Sequence, residues 1–255
     1  MQVSLPMYGL NRDAVNLFWQ SLRARLLADE IEAPAALVWP QDLLPHWRQP
    51  DLLLSQTCGY PLVHLLPQVR VLGAFHYAAD GCEGPNYRSW IVVRADDNRQ
   101  SLTAFRGATV AWNSEDSQSG YHALRALIAP LADQGRFFGD SRASGAHVNS
   151  MAMVRRGEAD IAAIDCVTWA LLKQEQPAAL EGLRVIAQTD ATPGLPLITH
   201  SNASDRQCLA LQQALAASVA GTAADALLIT GFSPLPRKAW EVIGQRALAA
   251  GSGRL

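Results

Sequence analysis

The sequence predicts an α/β protein with mostly parallel sheets, and two observations lead to this class. Short apolar runs alternate along the chain with stretches in which apolar residues recur at helical spacing. Some of the apolar runs end in polar residues, as at positions 51–56. That arrangement is typical of a buried parallel strand whose carboxyl end opens into a site.

The predicted elements follow from local patterns of apolar residues and helix-capping signals. Asn11 or Asp13 begins the first helix, and Gly157 ends a helix that starts near His147. Further helices are predicted at residues 120–131, 167–173, 205–219 and 237–246. Strands are predicted at residues 3–8, 36–39, 51–56, 69–77, 89–94, 108–113, 159–164, 183–187 and 197–199.

Composition limits the classes of partner. The chain has 255 residues, of which 49% are hydrophobic, enough for one large core or two small ones. The net charge is −2 and arginines are scattered, so we expect no nucleic-acid partner. The dinucleotide, Walker A, metalloprotease and nucleophile-elbow motifs are all missing, so we expect no cofactor and no metal.

The four cysteines and the N-terminus bear on the compartment. Cys58, Cys82, Cys166 and Cys208 lack zinc-ligand spacing, and we interpret them as free thiols, with two disulfides as the alternative in an oxidising compartment. The first residues lack the pattern expected of a secretory leader. No apolar run approaches the roughly 20 residues that span a bilayer. The expected location is cytoplasmic as the sequence stands, or periplasmic if a leader has been removed.

The strongest local feature is a strand that runs into a polar turn and then a helix at residues 110–121. Backbone N–H groups at a helix start carry partial positive charge, and serine hydroxyls add donors that can rotate. Together they can hold an anion without Lys or Arg. Ordinary helix capping is the alternative, although one capping residue would be enough for that. The candidate residues are Ser114, Ser117, Gln118, Ser119 and Gly120.

Other polar turns supply further candidates. Ser144, Gly145 and His147 form a second helix start of the same character. Asp165 follows an apolar strand and is either a helix cap or a ligand contact. The spacing of the residues does not decide between these two roles. Gly59 and Tyr60 follow another strand, and Tyr8 ends the first one; each tyrosine is either a phenolic donor or a packing residue. A pair between Cys58 and His64 is a weaker, catalytic alternative.

In their order and separation, four of these segments resemble the phosphate/phosphite/phosphonate solute-binding proteins of ABC transporters, which have the type II periplasmic-binding fold. The resemblance rests on Ser55-Gln56-Thr57-Cys58-Gly59-Tyr60-Pro61, Asn113-Ser114-x-x-Ser117-x-Ser119-Gly120, Ser144-Gly145-x-His147-x-x-Ser150 and Ala159-Asp160-x-Ala162-Ala163-x-Asp165. It covers residues 1 to about 200.

The resemblance implies two α/β lobes, joined by two hinge crossovers, that close on a ligand. Lobe one is expected at residues 1–87 plus 189–255 and lobe two at 88–188, with the ligand cleft between them. The implied ligand is a small oxyanion, and the implied partner is a transporter permease, with the chain acting as a monomer. The implied ligand contacts are Tyr8, Gly59, Tyr60, Ser114, Ser117, Gln118, Ser119, Gly120, His147 and Asp165.

Glu115 and Asp116 lie inside the predicted anion loop. Two carboxylates would repel a dianion, so either they face solvent or the ligand is not a simple phosphate. Non-enzymatic solute binding is the first hypothesis. Two alternatives remain open: an enzyme of the same fold that acts on a small precursor metabolite, and a cytoplasmic ligand sensor that presents its C-terminal helix to a partner.

Overall fold

A computed structural model describes residues 1–251, 253 and 255 and divides into two compact units. Unit 1 comprises residues 1–78, 83–86 and 193–241, and unit 2 comprises 79–82, 87–192 and 242–255. The division differs from the predicted lobes mainly at the C-terminus, because residues 242–255 belong to unit 2. Within unit 2, the Arg246 guanidinium donates to the carbonyl of Ala191 at 2.9 Å.

Strands and helices alternate along the chain. The strands are β1 (Gln2–Ser4), β2 (Leu52–Gln56), β3 (Arg70–Tyr77), β4 (Asn86–Tyr87), β5 (Ser89–Arg94), β6 (Thr109–Trp112), β7 (Asp140–Ala143), β8 (Ile161–Asp165), β9 (Leu183–Gln188), β10 (Thr192–Pro193), β11 (Pro196–Thr199) and β12 (Ile229–Ser233). The α-helices are α1 (Arg12–Ala28), α2 (Leu43–Trp47), α3 (Gly59–His64), α4 (Ala123–Ile128), α5 (His147–Arg155), α6 (Cys166–Glu175), α7 (Asp205–Ala217), α8 (Thr222–Ala226) and α9 (Glu241–Ala249).

Each unit contains a five-stranded mixed sheet. The order is β1-β2-β11-β3-β12 in unit 1 and β7-β6-β8-β5-β9 in unit 2, while β4 and β10 form a separate two-stranded sheet. The α/β class with mixed sheets is therefore confirmed. The prediction of mostly parallel sheets needs correction, because only β1-β2, β6-β7 and β6-β8 are parallel neighbours in these sheets.

The antiparallel pairs on either side of β5 and β11 have a topological cause. Strands β5 and β11 are each the first long strand after the chain has passed from one unit to the other. Each one enters the interior of its sheet in the reversed direction, β11 between β2 and β3, and β5 between β8 and β9. One reversed interior strand makes both of its neighbouring pairs antiparallel.

The core of unit 1 forms around α1, whose first turn is capped by the Asn11 side chain, which accepts from the N–H of Ala14 at 3.0 Å. The cap at Asn11 was predicted. The apolar face of α1 packs against α7 and α8. On α7, Leu211 and Leu215 are fully buried, whereas Leu209 is 55% exposed.

The core of unit 2 lies on the other sheet. Buried side chains of β5, β6 and β8 pack with α4 and with a pair of phenylalanines that precede β7, and these residues are Ile91, Val93, Val110, Leu124, Ile128, Phe137, Phe138 and Ile161. This core fixes the carboxyl ends of β6 and β8, where the sequence places its candidate ligand residues. Among the residues described, no helix is both long and apolar enough to cross a membrane.

Several predicted elements are wrong in detail. Residues 36–39 form no strand, although the N–H of Val38 donates to the carbonyl of Val3. The first strand ends at Ser4, so Tyr8 lies in a turn rather than at the end of a strand. The predicted helix at 120–131 is divided into a π-helical turn, α4 and a 3-10 turn.

Candidate functional site

The polar loop after β6 leads into a π-helical turn, Gln118–His122. Ser117 caps this turn, because its Oγ accepts a hydrogen bond from the N–H of Gly120 at 3.0 Å. The four residues from Ser117 to Gly120 are buried. The predicted serine-rich helix start is therefore confirmed as a structure, and Ser117 is the residue that caps it.

Close packing, and not an unusual backbone angle, requires a glycine at position 120. A Cβ atom at this position would lie 2.0 Å from Asn113 Oδ1 and 3.0 Å from His147 Cε1. Both distances are shorter than ordinary van der Waals contact. The site therefore has room for glycine alone, and the backbone of the turn lies directly against the side chains of Asn113 and His147.

The second helix start, predicted around Ser144 and His147, is also present. Helix α5 begins at His147. Its N-cap residue, Ala146, has no side-chain acceptor for the N–H groups of the first turn. The Ser144 hydroxyl lies 2.6 Å from the Ser150 hydroxyl, on the first turn of the same helix. Gly145 has φ +82°, which an L-residue adopts only with strain.

Three hydrogen bonds hold the two helix starts side by side within unit 2. The N–H of Ser144 donates to the carbonyl of Trp112 at 2.8 Å, and the N–H of Gly145 donates to the carbonyl of Asn113 at 3.0 Å. The Ser119 Oγ lies 2.9 Å from His147 Nε2. The structure thus joins two segments that the sequence singled out separately.

His147 is neutral near pH 7. Burial lowers the pKa of its imidazole to about 4, and the carbonyl of Ala163 opposes this with a smaller effect. Desolvation disfavours the charged ring, which accounts for the direction of the shift. The donors at the two helix starts are therefore backbone N–H groups, hydroxyls and a neutral ring.

Ser114, Glu115 and Asp116 form a rim next to this arrangement. The Ser114 hydroxyl donates to Asp116 Oδ1 at 2.6 Å, so its single proton is engaged within the loop. The Glu115 side chain is exposed, and its backbone carbonyl accepts from His122 Nε2 at 2.8 Å. Glu115 therefore faces solvent, which was one of the two possibilities predicted for the carboxylates of this loop. Asp116 is half-buried.

Asp165 acts as a helix cap in this structure, which was one of the two roles left open by the sequence. Its Oδ1 accepts from the N–H groups of Val167 at 2.8 Å and Thr168 at 2.9 Å, at the start of α6. The residue is 2% exposed. The cap explains why an acid stands at the junction of a buried strand and a helix.

The three remaining candidates lie in unit 1. Tyr8 is 8% exposed, and its ring makes an edge contact with the Tyr77 ring at 5.3 Å between centroids. Gly59 and Tyr60 begin the short helix α3 directly after β2 and Cys58. The Tyr60 ring lies 4.3 Å from the His64 ring, measured between centroids, so His64 contacts an aromatic neighbour.

Sequence analysis missed Ser89, which positions the anion loop. The Ser89 hydroxyl donates to the carbonyl of Ser119 at 2.9 Å, and the N–H of Ser89 donates to Thr189 Oγ1 at 2.9 Å. Asn113 packs against Gly120 as described above. A serine at the start of a strand carries no recognisable pattern, and only the pairing of Ser89 opposite Asp165 on β8 brings it to this edge.

A buried polar network in unit 1 was also missed. The Ser4 hydroxyl lies 2.7 Å from both His46 Nε2 and the Ser55 hydroxyl. Burial lowers the pKa of His46, and the nearby Asp51 carboxylate opposes that shift. This network joins β1 to β2 and to helix α2, and it lies beside the strand that leads to Gly59 and Tyr60.

No cluster of three or more potential metal ligands exists among the residues that the structure describes. The chemistry that the arrangement in unit 2 offers is the recognition of an acceptor-rich group. Its donors are fixed by the strand ends below them, and the only acidic side chain with a short contact in the loop is already paired with Ser114.

Comparisons with known proteins show the family and the fold. The family described as "ABC transporter, phosphonate, periplasmic substrate-binding protein" matches residues 49–240. Among functionally curated proteins, no significant match is found.

Solved structures share the fold at low identity. PhnD1 from Prochlorococcus marinus, in complex with methylphosphonate, has a TM-score of 0.77 at 15% identity over 98% of this chain and 97% of its own. A binding-protein component of an ABC phosphonate transporter from Pseudomonas aeruginosa has 0.77 at 17% identity, over 98% of this chain and 86% of its own. XAC2383 from Xanthomonas citri, bound to ATP, has 0.73 at 16% identity, over 99% and 98%. These likenesses confirm the two-lobed type II periplasmic-binding fold.

Proposed function

Because the chain belongs to the family of periplasmic phosphonate substrate-binding proteins of ABC transporters, we propose that it binds a phosphonate group, or a related small oxyanion, at the two helix starts of unit 2. The family consists of substrate-binding components and not of enzymes, and a transporter permease is the partner that it implies. The role of the chain is therefore solute binding. The ligand and the residues that hold it are the subject of the proposal.

One observation carries the proposal, namely the contact at 2.9 Å between the Ser119 hydroxyl and His147 Nε2. It brings the first turn of α5 and the π-helical turn to one place, so two sets of backbone N–H groups serve the same site. N–H groups at a helix start have no intrahelical acceptor, and they favour an anion. Hydrogen bonds from neutral donors to a charged oxygen are stronger than those to a neutral one.

Each residue of the turn has a distinct part in the proposed site. Ser117 uses its oxygen to accept from Gly120, so its own hydroxyl proton remains for a ligand oxygen. Ser119 shares its hydroxyl proton with His147 Nε2, so our proposal requires this hydroxyl to turn towards the ligand, while its carbonyl is held by Ser89. Gln118 and Gly120 place their backbones beside these two hydroxyls.

Asp116 bears on the charge of the ligand. A carboxylate in the same loop raises the cost of a fully ionised phosphate, since two unit charges about 4 Å apart repel by roughly 4 kcal/mol at an effective dielectric constant near 20. The Ser114 proton, now donated to Asp116, partly screens that charge. Our proposal therefore gives Ser114 a role at the ligand that requires its hydroxyl to turn away from Asp116.

The proposal retains Asp165, Tyr8, Gly59 and Tyr60 as ligand contacts implied by the family resemblance. Support differs among them. Tyr60 and Gly59 stand at a helix start after a buried strand, as the anion loop does. Tyr8 is largely buried against Tyr77, and Asp165 is engaged as a cap, so their contribution is expected to be smaller.

Calorimetric titration of the purified chain tests the proposed ligand. We expect methylphosphonate to bind with a Kd in the micromolar range or below, and sulfate to bind at least about 10-fold more weakly. Inorganic phosphate and ATP complete the series, ATP because a structural neighbour is bound to it. The absence of both heat and thermal stabilisation with every member of the series would contradict the proposal.

We propose further that the chain works in the periplasm as a monomer and binds no nucleic acid. The family description supports the periplasm, and the net charge of −2 supports the lack of a nucleic-acid partner. Size-exclusion chromatography with light scattering tests the monomer, both with and without methylphosphonate. A stable dimer in either condition would contradict that part of the proposal.

A further inference from the structure

The thiols of Cys82 and Cys166 lie in direct contact within unit 2. Their sulfur atoms are 3.6 Å apart, although the residues are 84 positions apart in sequence. All four cysteines are free in the structure, which agrees with the interpretation of free thiols. A disulfide requires its sulfur atoms at about 2.05 Å, so these two atoms would have to approach by about 1.5 Å to form a bridge.

The backbone around both cysteines is held in place. The N–H of Cys82 donates to the carbonyl of Ala79 at 3.0 Å, closing a turn, and the N–H of Cys166 donates to the carbonyl of Arg88 at 3.0 Å. Gly81, in that turn, has φ +92°, and a Cβ there would lie 2.8 Å from the Trp90 ring. The two thiols therefore have a high effective concentration for each other.

The two thiols differ in access. Cys82 is partly exposed, whereas Cys166 is buried at the first position of α6. Cys166 also lies in the wall of a cavity of about 260 Å³, with Trp90, Trp169 and Lys173 around it. A reagent in solution therefore reacts first with Cys82. Cys166 then reacts with the modified Cys82 from the protein interior.

We infer that Cys82 and Cys166 form a reversible disulfide by exchange with a small disulfide of the oxidised-glutathione class. The Cys82 thiolate attacks the glutathione disulfide, forms a mixed disulfide and releases one glutathione thiolate. Cys166 then gives its proton to solvent and attacks Cys82 Sγ, which releases the second thiolate. Two protein thiols are oxidised, and one glutathione disulfide is reduced to two thiols.

The second step is the slow one. The hydrogen bond with Cys82, burial, and the neighbouring Asp165 carboxylate all raise the pKa of Cys166 above its ordinary value. Once Cys82 is in the mixed disulfide, its part in that effect ends and Cys166 ionises more readily. The rate of ring closure is therefore expected to rise with pH. The inference is independent of the proposed ligand, since neither cysteine is among the proposed ligand contacts.

Thiol counting in denaturant tests the inference on the unmodified chain. After equilibration with oxidised glutathione at pH 8, we expect two of the four thiols to be lost, and peptide mapping to show one intramolecular link between Cys82 and Cys166. Four remaining thiols at equilibrium would overturn the inference. A link to Cys58 or Cys208, or between chains, in place of that pair would overturn it as well.

Two variants separate the steps. Cys166→Ser is expected to stop at a glutathione adduct on Cys82, whereas Cys82→Ser should lose no thiol. The double variant Cys58→Ala/Cys208→Ala serves as the matched control and should form the bridge as the parent does. If Cys166→Ser gave no adduct while remaining folded by circular dichroism, the proposed order of attack would be wrong.

Thermal unfolding gives an independent readout that needs no variant. The bridge would close a loop between positions 84 residues apart, so the oxidised chain should melt roughly 5 °C higher or more, and dithiothreitol should reverse the gain. A melting temperature that did not rise on oxidation would overturn the claim that the pair is already arranged for a disulfide.

Discussion

The Ser119 hydroxyl and the His147 imidazole, 2.9 Å apart, connect two helix starts that are 28 residues apart in sequence. Neither side chain carries a charge near neutral pH, because burial keeps the pKa of His147 near 4. In the proposed site, recognition of an anion depends on the number and direction of these donors. Such donors discriminate by geometry.

Replacement of Ser119 by alanine should weaken methylphosphonate binding about 10- to 100-fold, because one hydrogen bond to a charged oxygen is lost. The change is measured by calorimetry. Ser101→Ala, which alters an exposed hydroxyl in the same unit, is the matched control and should bind as the parent does. Equal affinities for the two variants would remove Ser119 from the proposed site.

Replacement of Gly120 by alanine should destabilise the turn by about 1–3 kcal/mol and weaken binding, since the new methyl group would overlap Asn113. Urea unfolding and calorimetry measure the two effects. The double variant Gly120→Ala/Asn113→Ala makes room for the methyl group and should recover part of the stability. A Gly120→Ala protein as stable as the parent would show that the overlap is relieved easily.

The acid sensitivity of the chain should depend on His147. Its pKa is about 4 in the folded state and about 6.5 in the unfolded state, so the unfolded chain binds more protons between these values. The free energy of unfolding therefore falls as the pH falls from 6.5 towards 4. His147→Gln should lose about 2 kcal/mol less than the parent between pH 7 and pH 4.5.

Urea unfolding at the two pH values provides the measurement. Burial lowers the pKa of His46 and of His76, so both add a loss of the same sign. Both residues are present in parent and variant alike, so the comparison isolates His147. An identical loss in the two proteins would contradict the buried, neutral state assigned to this ring.

The two roles considered for Asp165 predict different results for two substitutions. Asp165→Ala should cost about 1–2 kcal/mol through loss of the cap on α6, whereas Asp165→Ser keeps a capping oxygen and should cost less. If the residue acts as a cap alone, Asp165→Ser should bind methylphosphonate as the parent does. A binding loss of about 10-fold in a stable Asp165→Ser protein would instead show a direct contact with the ligand.

The polar network of unit 1 should be sensitive at its centre. Ser4→Ala removes the hydroxyl that contacts both His46 and Ser55 and should cost about 1–3 kcal/mol in urea unfolding. Ser55→Ala breaks only the Ser4–Ser55 contact of this network and is expected to cost less. Equal costs for the two variants would contradict the central position of Ser4.

Local patterns predicted most of the fold. The cap at Asn11, the strand at β2 and the serine-rich start at residues 117–120 were all predictable, because capping and strand periodicity are properties of neighbouring residues. The wrong prediction of a strand at residues 36–39 has the same origin, since it too rested on neighbouring residues alone. These residues suit a strand, but Pro34 and Pro40 flank them, and proline limits ladder hydrogen bonding.

Tertiary contacts account for what the sequence did not reveal. Helices α2, α3 and α8 have five or six residues each, too few for a periodic pattern. Strand β12 contains Gly231, whose Cα lies against the His76 ring and leaves no space for a side chain. The contact between Ser119 and His147 depends on the pairing of β6 with β7, which are about 30 residues apart in sequence, and no local pattern encodes that pairing.

The reversed strands have a consequence for a chain that emerges residue by residue. Strand β11 lies between β2 and β3, so the sheet of unit 1 cannot assemble until residues 196–199 have been synthesised, and β12 follows only at 229–233. Before residue 196, β2 has one unpaired edge and β3 has two, and an unpaired edge is a template for association with other chains. A nascent chain that pauses before residue 196 is therefore expected to need a chaperone more than the finished protein does.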